Sequence, residues 1–187
     1  MPSACPDIKW SKSDAHKLYF AAGNNIIRTS TESSFDQEFF KGHTSPVSCL
    51  DISADGQYLA SCQEGECPSL RVFNTTTMEC LCKADLALQD VRCLSLSYNG
   101  KYIAVVGNDR LMRDEITVLE LDNSPYEKDY QTVQKWQILR VARQVSEFNI
   151  LTVKFSPTEL DKLVSCGQEN IRFWRIKNEH LPGGPVV

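Results

Sequence analysis

The chain has 187 residues, of which 42% are hydrophobic and 24% charged, a balance typical of a globular chain long enough for one domain. Its formal net charge is −4 and its pI is about 5.4, which argues against a dedicated nucleic-acid-binding protein. No stretch approaches the roughly 20 apolar residues that cross a bilayer, and the first residues lack the apolar run of a secretory signal, so we expect neither a membrane nor a nucleic acid as partner.

Short apolar runs separated by turn residues follow one another along the chain, a pattern that predicts an all-β protein of antiparallel strands. The first unit contains three predicted strands and closes on Gly42-His43; the strands are Lys17–Ala21, Asn25–Arg28 and Phe35–Phe40.

Three later units share the order strand, tight turn, strand. Asp55-Gly56 and Asn99-Gly100 mark two of the turns, because both dipeptides tolerate positive φ angles; Ser156-Pro157 marks the third. The predicted hairpin strands are Val47–Ile52 with Tyr58–Cys62, Val91–Leu96 with Tyr102–Val106, and Leu151–Phe155 with Leu163–Cys166. A third strand follows in each unit, namely Leu70–Phe73, Ile116–Leu119 and Ile171–Trp174.

Outer strands are predicted at Glu79–Lys83 and Lys135–Arg140, whereas none is predicted after Ile176. For the second of these segments a helix is the alternative, because Val133, Trp136 and Leu139 would share one helical face.

The units recur at a spacing that is typical of β-propeller blades. Val47 and Val91 lie 44 residues apart, within the roughly 40–45 residues of a four-stranded blade. The next interval is longer because of the polar segment Asp122–Asp129, which we expect to be a surface loop. We therefore predict that residues 1–187 form a partial propeller of about four blades, at approximately 8–43, 44–90, 91–145 and 146–187. Such a ring would be incomplete, as in a fragment or a short isoform.

No constellation of reactive side chains is evident in the sequence. None of the eight cysteines forms a Cys-x-x-Cys pair, and most lie in apolar runs, which favours core packing in a reducing compartment over a zinc site at Cys80-x-Cys82. There is no phosphate-binding loop, and no nucleophile lies beside a histidine in the sequence. We expect no catalytic residue, no cofactor and no metal, and hence not an enzyme.

Gly42-His43, the Asp55-Gly56 turn and the strand that ends in Phe173-Trp174 resemble the WD40 repeat. The resemblance implies a buried hydrogen-bond network of a histidine, a strand serine, a turn aspartate and a tryptophan. His43 and Ser61 occupy two of these positions, but Phe73 stands where tryptophan is expected. The positions assigned to the repeat are Gly42, His43, Asp55, Gly56, Ser61, Phe73, Asn99, Gly100 and Trp174.

The segments Tyr19–Ile27, Phe40–His43 and Phe155–Thr158 resemble EML-type microtubule-associated proteins and WD-repeat proteins of cilia, axonemes and centrioles. This likeness runs over nearly all of residues 8–181. It implies a non-catalytic protein-interaction scaffold in a microtubule-linked assembly, with tubulin, other ciliary proteins and the remaining blades of a longer chain as partners. The expected location is the cytoplasm and cytoskeleton, at a cilium, basal body or centriole. The alternative is a generic WD40 adaptor in a ubiquitin-ligase, RNA-processing or signalling complex.

Basic residues of the second half are the candidates for partner binding, since they lie among few acids. If several share one face, they would attract acidic tubulin tails; otherwise they are ordinary solvated charges of strand edges. They are Arg140, Arg143, Lys154, Arg172 and Arg175. Phe39, Phe40 and Trp136 are candidate anchors for a partner, or else side chains that pack between blades.

Overall fold

The computed structural model describes residues 8–33, 36–128, 131–133, 135–168 and 170–185. Within these ranges the strands form four antiparallel sheets of four strands each and one two-stranded hairpin, which confirms the all-β prediction. We number the sheets 1 to 4 in chain order. Two residues that end a segment named in the sequence analysis, Phe35 and Asp129, lie outside the described residues.

Each sheet is a sequential meander in its first three strands. Sheet 1 contains β1 (Ile8–Trp10), β2 (Lys17–Ala22), β3 (Asn25–Ser30) and β4 (Gln37–Phe40). Sheet 2 contains β5 (Val47–Ile52), β6 (Tyr58–Gln63), β7 (Ser69–Asn74) and β8 (Cys80–Asp85).

Sheet 3 begins with β9 (Cys93–Leu96), β10 (Tyr102–Asn108) and β11 (Asp114–Asp122). A separate hairpin of β12 (Tyr126–Lys128) and β13 (Gln131–Val133) then precedes the outer strand of the sheet, β14 (Gln137–Ser146). Sheet 4 contains β15 (Ile150–Phe155), β16 (Lys162–Gly167), β17 (Ile171–Arg175) and β18 (Gly183–Pro185).

Two local predictions are wrong, and one alternative is excluded. The last sheet has an outer strand, because β18 pairs with β17 and places Gly183 opposite Trp174. The segment Asp122–Asp129 is not only a loop, since it contains β12, which pairs with β13 shortly after it. The outer strand predicted at Lys135–Arg140 is confirmed over the helical alternative, because Leu139 lies in β14 and pairs with Glu120 of β11.

The turns between the first two strands of sheets 2 and 3 have the geometry that their dipeptides predict. Gly56 and Gly100 have φ angles of 73° and 72°, a region that glycine enters without steric cost. The side chain before each glycine closes the turn: Asp55 Oδ1 accepts from the Gln57 amide at 3.0 Å, and Asn99 Oδ1 accepts from the Lys101 amide at 3.1 Å.

Sheets 2 and 3 are buried on both faces because the four sheets pack in succession around an open ring. One face of sheet 2 packs on sheet 1, and the other packs on sheet 3, whose far face packs on sheet 4. Strands covered on both sides need continuous apolar runs, which explains why the whole of β5 is buried.

Side chains at one repeated position of the innermost strands connect neighbouring sheets. Asp51 Oδ2 in β5 accepts from the Leu96 amide of β9 at 3.1 Å, and Ser95 Oγ in β9 accepts from the Phe155 amide of β15 at 3.2 Å. Lys154 occupies the same position in β15, and its Nζ lies 3.7 Å from Asp51 Oδ2. The inner ends of sheets 2, 3 and 4 are therefore joined by polar contacts.

Gly107 gives a first test of this packing. A Cβ atom there would lie 2.0 Å from the Asp90 carbonyl oxygen, a backbone atom that cannot simply rotate away. We expect Gly107→Ala to lower the free energy of unfolding by about 1–3 kcal/mol through overpacking. Gly184→Ala is the matched control, because a Cβ there meets nothing within 4 Å. Urea denaturation of both variants checks this, and equal stabilities would contradict the packing described.

Candidate partner-binding surface

His43 lies at the centre of a buried polar cluster that joins sheet 2 to the loop before it. Its Nε2 is 2.7 Å from Ser61 Oγ, and its Nδ1 is 3.1 Å from Gln63 Oε1. Because an amide oxygen only accepts, Nδ1 carries the proton and Nε2 accepts from the Ser61 hydroxyl. The preceding Gly42 has a φ of 137°, which turns the chain so that the imidazole points inward.

The His43–Ser61 pair resembles the base and nucleophile of a hydrolase in distance alone. Ser61 is fully buried and His43 is 7% exposed, so the hydroxyl is not accessible to a substrate. Burial lowers the pKa of His43 to about 4, which keeps the imidazole neutral at physiological pH. The pair therefore fixes the loop to β6 rather than presenting a reactive group.

The tryptophan part of this network is found in a different sheet. In sheet 2, Phe73 stands in the tryptophan position, where its ring lies 6.3 Å from His43. In sheet 4, Trp174 Nε1 donates to Ser165 Oγ at 2.8 Å. Each of these sheets thus contains one half of the network that the resemblance implies.

The five basic candidates do not all lie together. Arg140 and Arg143 of β14 line one groove. Lys154 faces Asp51 near the inner strands, as described above, and Arg172 stacks on Phe148, with its guanidinium carbon 4.6 Å from the ring centre. Arg175 Nε donates to Asp161 Oδ2 at 2.8 Å.

The groove that contains Arg140 and Arg143 lies between sheets 2 and 3 and has a volume of about 650 Å³. One wall is the segment 84–88, which comprises the end of β8 and the residues just after it. The other is formed by β11, β14 and the hairpin tip 109–113 between β10 and β11, which we call the β10–β11 tip.

Two buried carboxylates hold two of the arginines in the groove. Asp109 Oδ2 accepts from Arg113 Nε at 3.0 Å and from Nη2 at 2.7 Å. Glu115 lies 2.5 Å from Arg143 Nη2 and also accepts from the Thr117 hydroxyl. The Glu115 carboxylate raises the pKa of Arg143, so that arginine stays fully charged.

The other two arginines of the groove are exposed and uncompensated. Within the described part of the chain, neither Arg110 nor Arg140 forms an ion pair or a side-chain hydrogen bond. Beside Arg110, the β10–β11 tip presents Leu111 and Met112, which are 72% and 70% exposed. The sequence analysis missed this tip, because Arg110 and Arg140 are 30 residues apart and only the fold brings them together.

The candidate aromatic anchors differ in exposure. Phe40 is fully buried between sheets 1 and 2, and Trp136 packs with its ring centre 5.7 Å from that of Tyr58. Phe39, on the opposite face of β4, is 44% exposed. Large apolar side chains are also exposed at the two ends of the ring, among them Trp10 in sheet 1 and Phe173 in sheet 4.

The cysteines of the core are poorly suited to reactive chemistry. Cys49 and Cys62 face each other across β5 and β6 as free thiols, and burial raises the pKa of Cys62 well above its usual value. Burial likewise raises the pKa of Cys93 to about 12. Among the residues that the structure describes, no three His, Cys, Asp or Glu side chains are arranged to hold a metal ion. Nor does any described helix have the length and apolarity needed to span a membrane.

Comparison with known proteins supports the repeat assignment. Residues 35–74 match the family model described as WD domain, G-beta repeat. Centriole proteome protein 16 of Chlamydomonas reinhardtii is 31% identical over 150 residues, which cover 80% of this chain and 7% of that protein. WD repeat-containing protein 90 of Xenopus tropicalis is 27% identical over 81% of this chain and 8% of its own length. Human echinoderm microtubule-associated protein-like 4 is 25% identical over 88% of this chain and 16% of its own length.

A solved structure confirms the architecture. The β-propeller domain of Myceliophteria thermophila Cps50 (Swd1) matches with a TM-score of 0.65 and 14% identity, covering 94% of this chain and 57% of that domain. The prediction of an incomplete propeller is therefore confirmed at the level of the fold. The chain spans less than a tenth of the first two relatives.

Proposed function

Because this chain carries a WD40 repeat in a β-propeller fold, we propose that it is a non-catalytic protein-interaction scaffold in a microtubule-linked assembly, such as a cilium, axoneme or centriole. One observation carries the proposal, the likeness over about four fifths of the chain to relatives whose names refer to the centriole and to microtubules. The proposed location is the cytoplasmic cytoskeleton, at a cilium, basal body or centriole.

The geometry supports binding in preference to chemistry. The Ser61–His43 pair is buried, whereas Arg110, Arg140 and Leu111 are exposed around an open groove. Charged and apolar groups that are fixed in place but uncovered are suited to contact with another protein.

We propose that the ends of the open ring pack against further blades of a longer chain. Trp10 in sheet 1 and Phe173 in sheet 4 expose more than half of their surfaces. Their equivalents in sheets 2 and 3 are covered by neighbouring sheets, and apolar faces of this kind are normally buried.

Co-sedimentation with stabilised microtubules tests the microtubule part of the proposal. We expect the 187-residue chain, and a longer chain that contains it, to pellet with microtubules at low salt and to be released as salt screens the arginines. Arg140→Glu should weaken binding, whereas Lys177→Glu, a charge reversal of an exposed residue in a different part of the ring, should not.

Failure of a demonstrably folded protein to pellet at low salt would reject the microtubule-linked role. A WD40 adaptor for another complex would then remain, and its partner would have to be found by pull-down.

A further inference from the structure

We propose that the groove between sheets 2 and 3 binds an extended acidic peptide segment of a partner protein, with Arg110 and Arg140 as the carboxylate contacts and Leu111 as an apolar contact. The proposal shares with the proposed function the idea that the chain binds proteins and that Arg140 contributes to binding. It does not require that the partner be tubulin.

Among the described residues, the charges that line the groove leave two cations without a partner. Asp109 binds Arg113, Glu115 binds Arg143, and Asp85 binds Lys83 with a distance of 2.8 Å. Each carboxylate that lines the groove therefore already has a basic partner, and the pairs contribute little net potential. Arg110 and Arg140 remain, each with a guanidinium fork that matches the geometry of a carboxylate.

The β10–β11 tip that carries Arg110 is preorganised. Asp109 is 4% exposed, and its Oδ1 accepts from the Leu111 amide at 2.8 Å and from the Arg113 amide at 2.9 Å. One buried carboxylate thus closes the tip and fixes the backbone on both sides of Met112. A ligand that binds a fixed tip does not have to order it, which lowers the entropic cost of binding.

The lining of the groove favours a peptide over a nucleic acid. Leu86, Leu88, Leu119 and Ile138 line it together with the arginines, so a ligand meets apolar and basic groups at once. A peptide that mixes acidic and apolar side chains can satisfy both. A phosphate backbone carries regularly spaced charges along its whole length and has no apolar side chain to place against Leu86 and Ile138.

Fluorescence anisotropy with a labelled peptide of alternating glutamate and leucine tests the site on the full 187-residue chain. We expect saturable binding that weakens with salt. The double variant Arg110→Gln/Arg140→Gln should bind about tenfold more weakly, since a charge-assisted contact is typically worth that much or more. Leu111→Ala should also weaken binding, without a change in the salt dependence.

The matched control is Lys41→Gln/Lys177→Gln, which removes the same charge from exposed positions just after β4 and β17, outside the groove. This variant should bind like the unmodified chain. Far-UV circular dichroism establishes that each variant is folded, which the exposure of all four residues leads us to expect.

Three results would overturn the site: equal binding by the arginine double variant, equal binding of the glutamine counterpart of the peptide, or tighter binding of an oligothymidylate of the same charge. Peptide binding without microtubule co-sedimentation would keep the groove and reject the microtubule-linked role. If the chain binds no peptide but co-sediments with microtubules, and the arginine double variant does so as well, the microtubule-linked role is kept and the groove is rejected.

Discussion

Replacement of Phe40 by alanine should lower the free energy of unfolding by about 3–5 kcal/mol, the usual cost of deleting a buried aromatic ring. Phe40 is fully buried, and its ring lies 5.6 Å from that of Phe73 in an edge-to-face arrangement and 6.0 Å from that of Tyr19. The ring therefore joins sheet 1 to sheet 2, and its loss leaves a cavity between two rigid sheets. Urea denaturation followed by circular dichroism measures the effect.

The neighbouring Phe39 supplies a control within the same strand. It is 44% exposed on the other face of β4, so Phe39→Ala should cost less than about 1 kcal/mol. If the two variants are equally stable, β4 does not present Phe40 to sheet 2 as described.

The second large effect is a loss of stability in mild acid that depends on His43. In the unfolded chain its pKa is near the ordinary value of 6.5, whereas burial lowers the folded value to about 4. Between these values the unfolded chain binds a proton that the folded chain does not. Stability should therefore fall as the pH drops from 6.5 to 4, by up to about 3 kcal/mol.

Denaturation midpoints measured across this pH range, in the unmodified chain and in His43→Gln, isolate this contribution. The variant should be less stable at pH 7 but should lose less stability between pH 6.5 and 4. His16→Gln and His180→Gln, which alter exposed histidines, should follow the unmodified chain. A steep acid loss that persists in His43→Gln would assign it to other groups.

The sequence predicted best the features that depend on local conformation. Asp55-Gly56 and Asn99-Gly100 predicted hairpins because the glycine φ angle decides the turn whatever the rest of the chain does. The 44-residue spacing predicted the repeated sheets because a four-stranded meander needs a nearly constant length of chain.

Pairing that is imposed from outside a segment could not be predicted in this way. Gly183–Pro185 has the composition of a turn, yet it forms a strand because it pairs with the edge of β17. Gly183 lies against the flat Trp174 ring there, and a Cβ at this position would lie 2.1 Å from that ring. The groove is a similar case, since Arg110 and Arg140 come from separate segments that share a surface only after sheet 3 has formed. Of the five basic candidates, the structure brings only Arg140 and Arg143 to that surface.

The polar contacts of the innermost strands have a consequence for how a repetitive chain reaches one assembly. The sheets are nearly alike in shape, and apolar packing alone discriminates weakly between neighbours of the same shape. Asp51, however, accepts from the amide of the next sheet and lies near the ammonium group of Lys154 in the sheet after that. A swapped or skipped repeat would leave this carboxylate, only 6% exposed, without its cation. The polar contacts between the innermost strands thus disfavour assemblies in which the sheets follow one another in the wrong order.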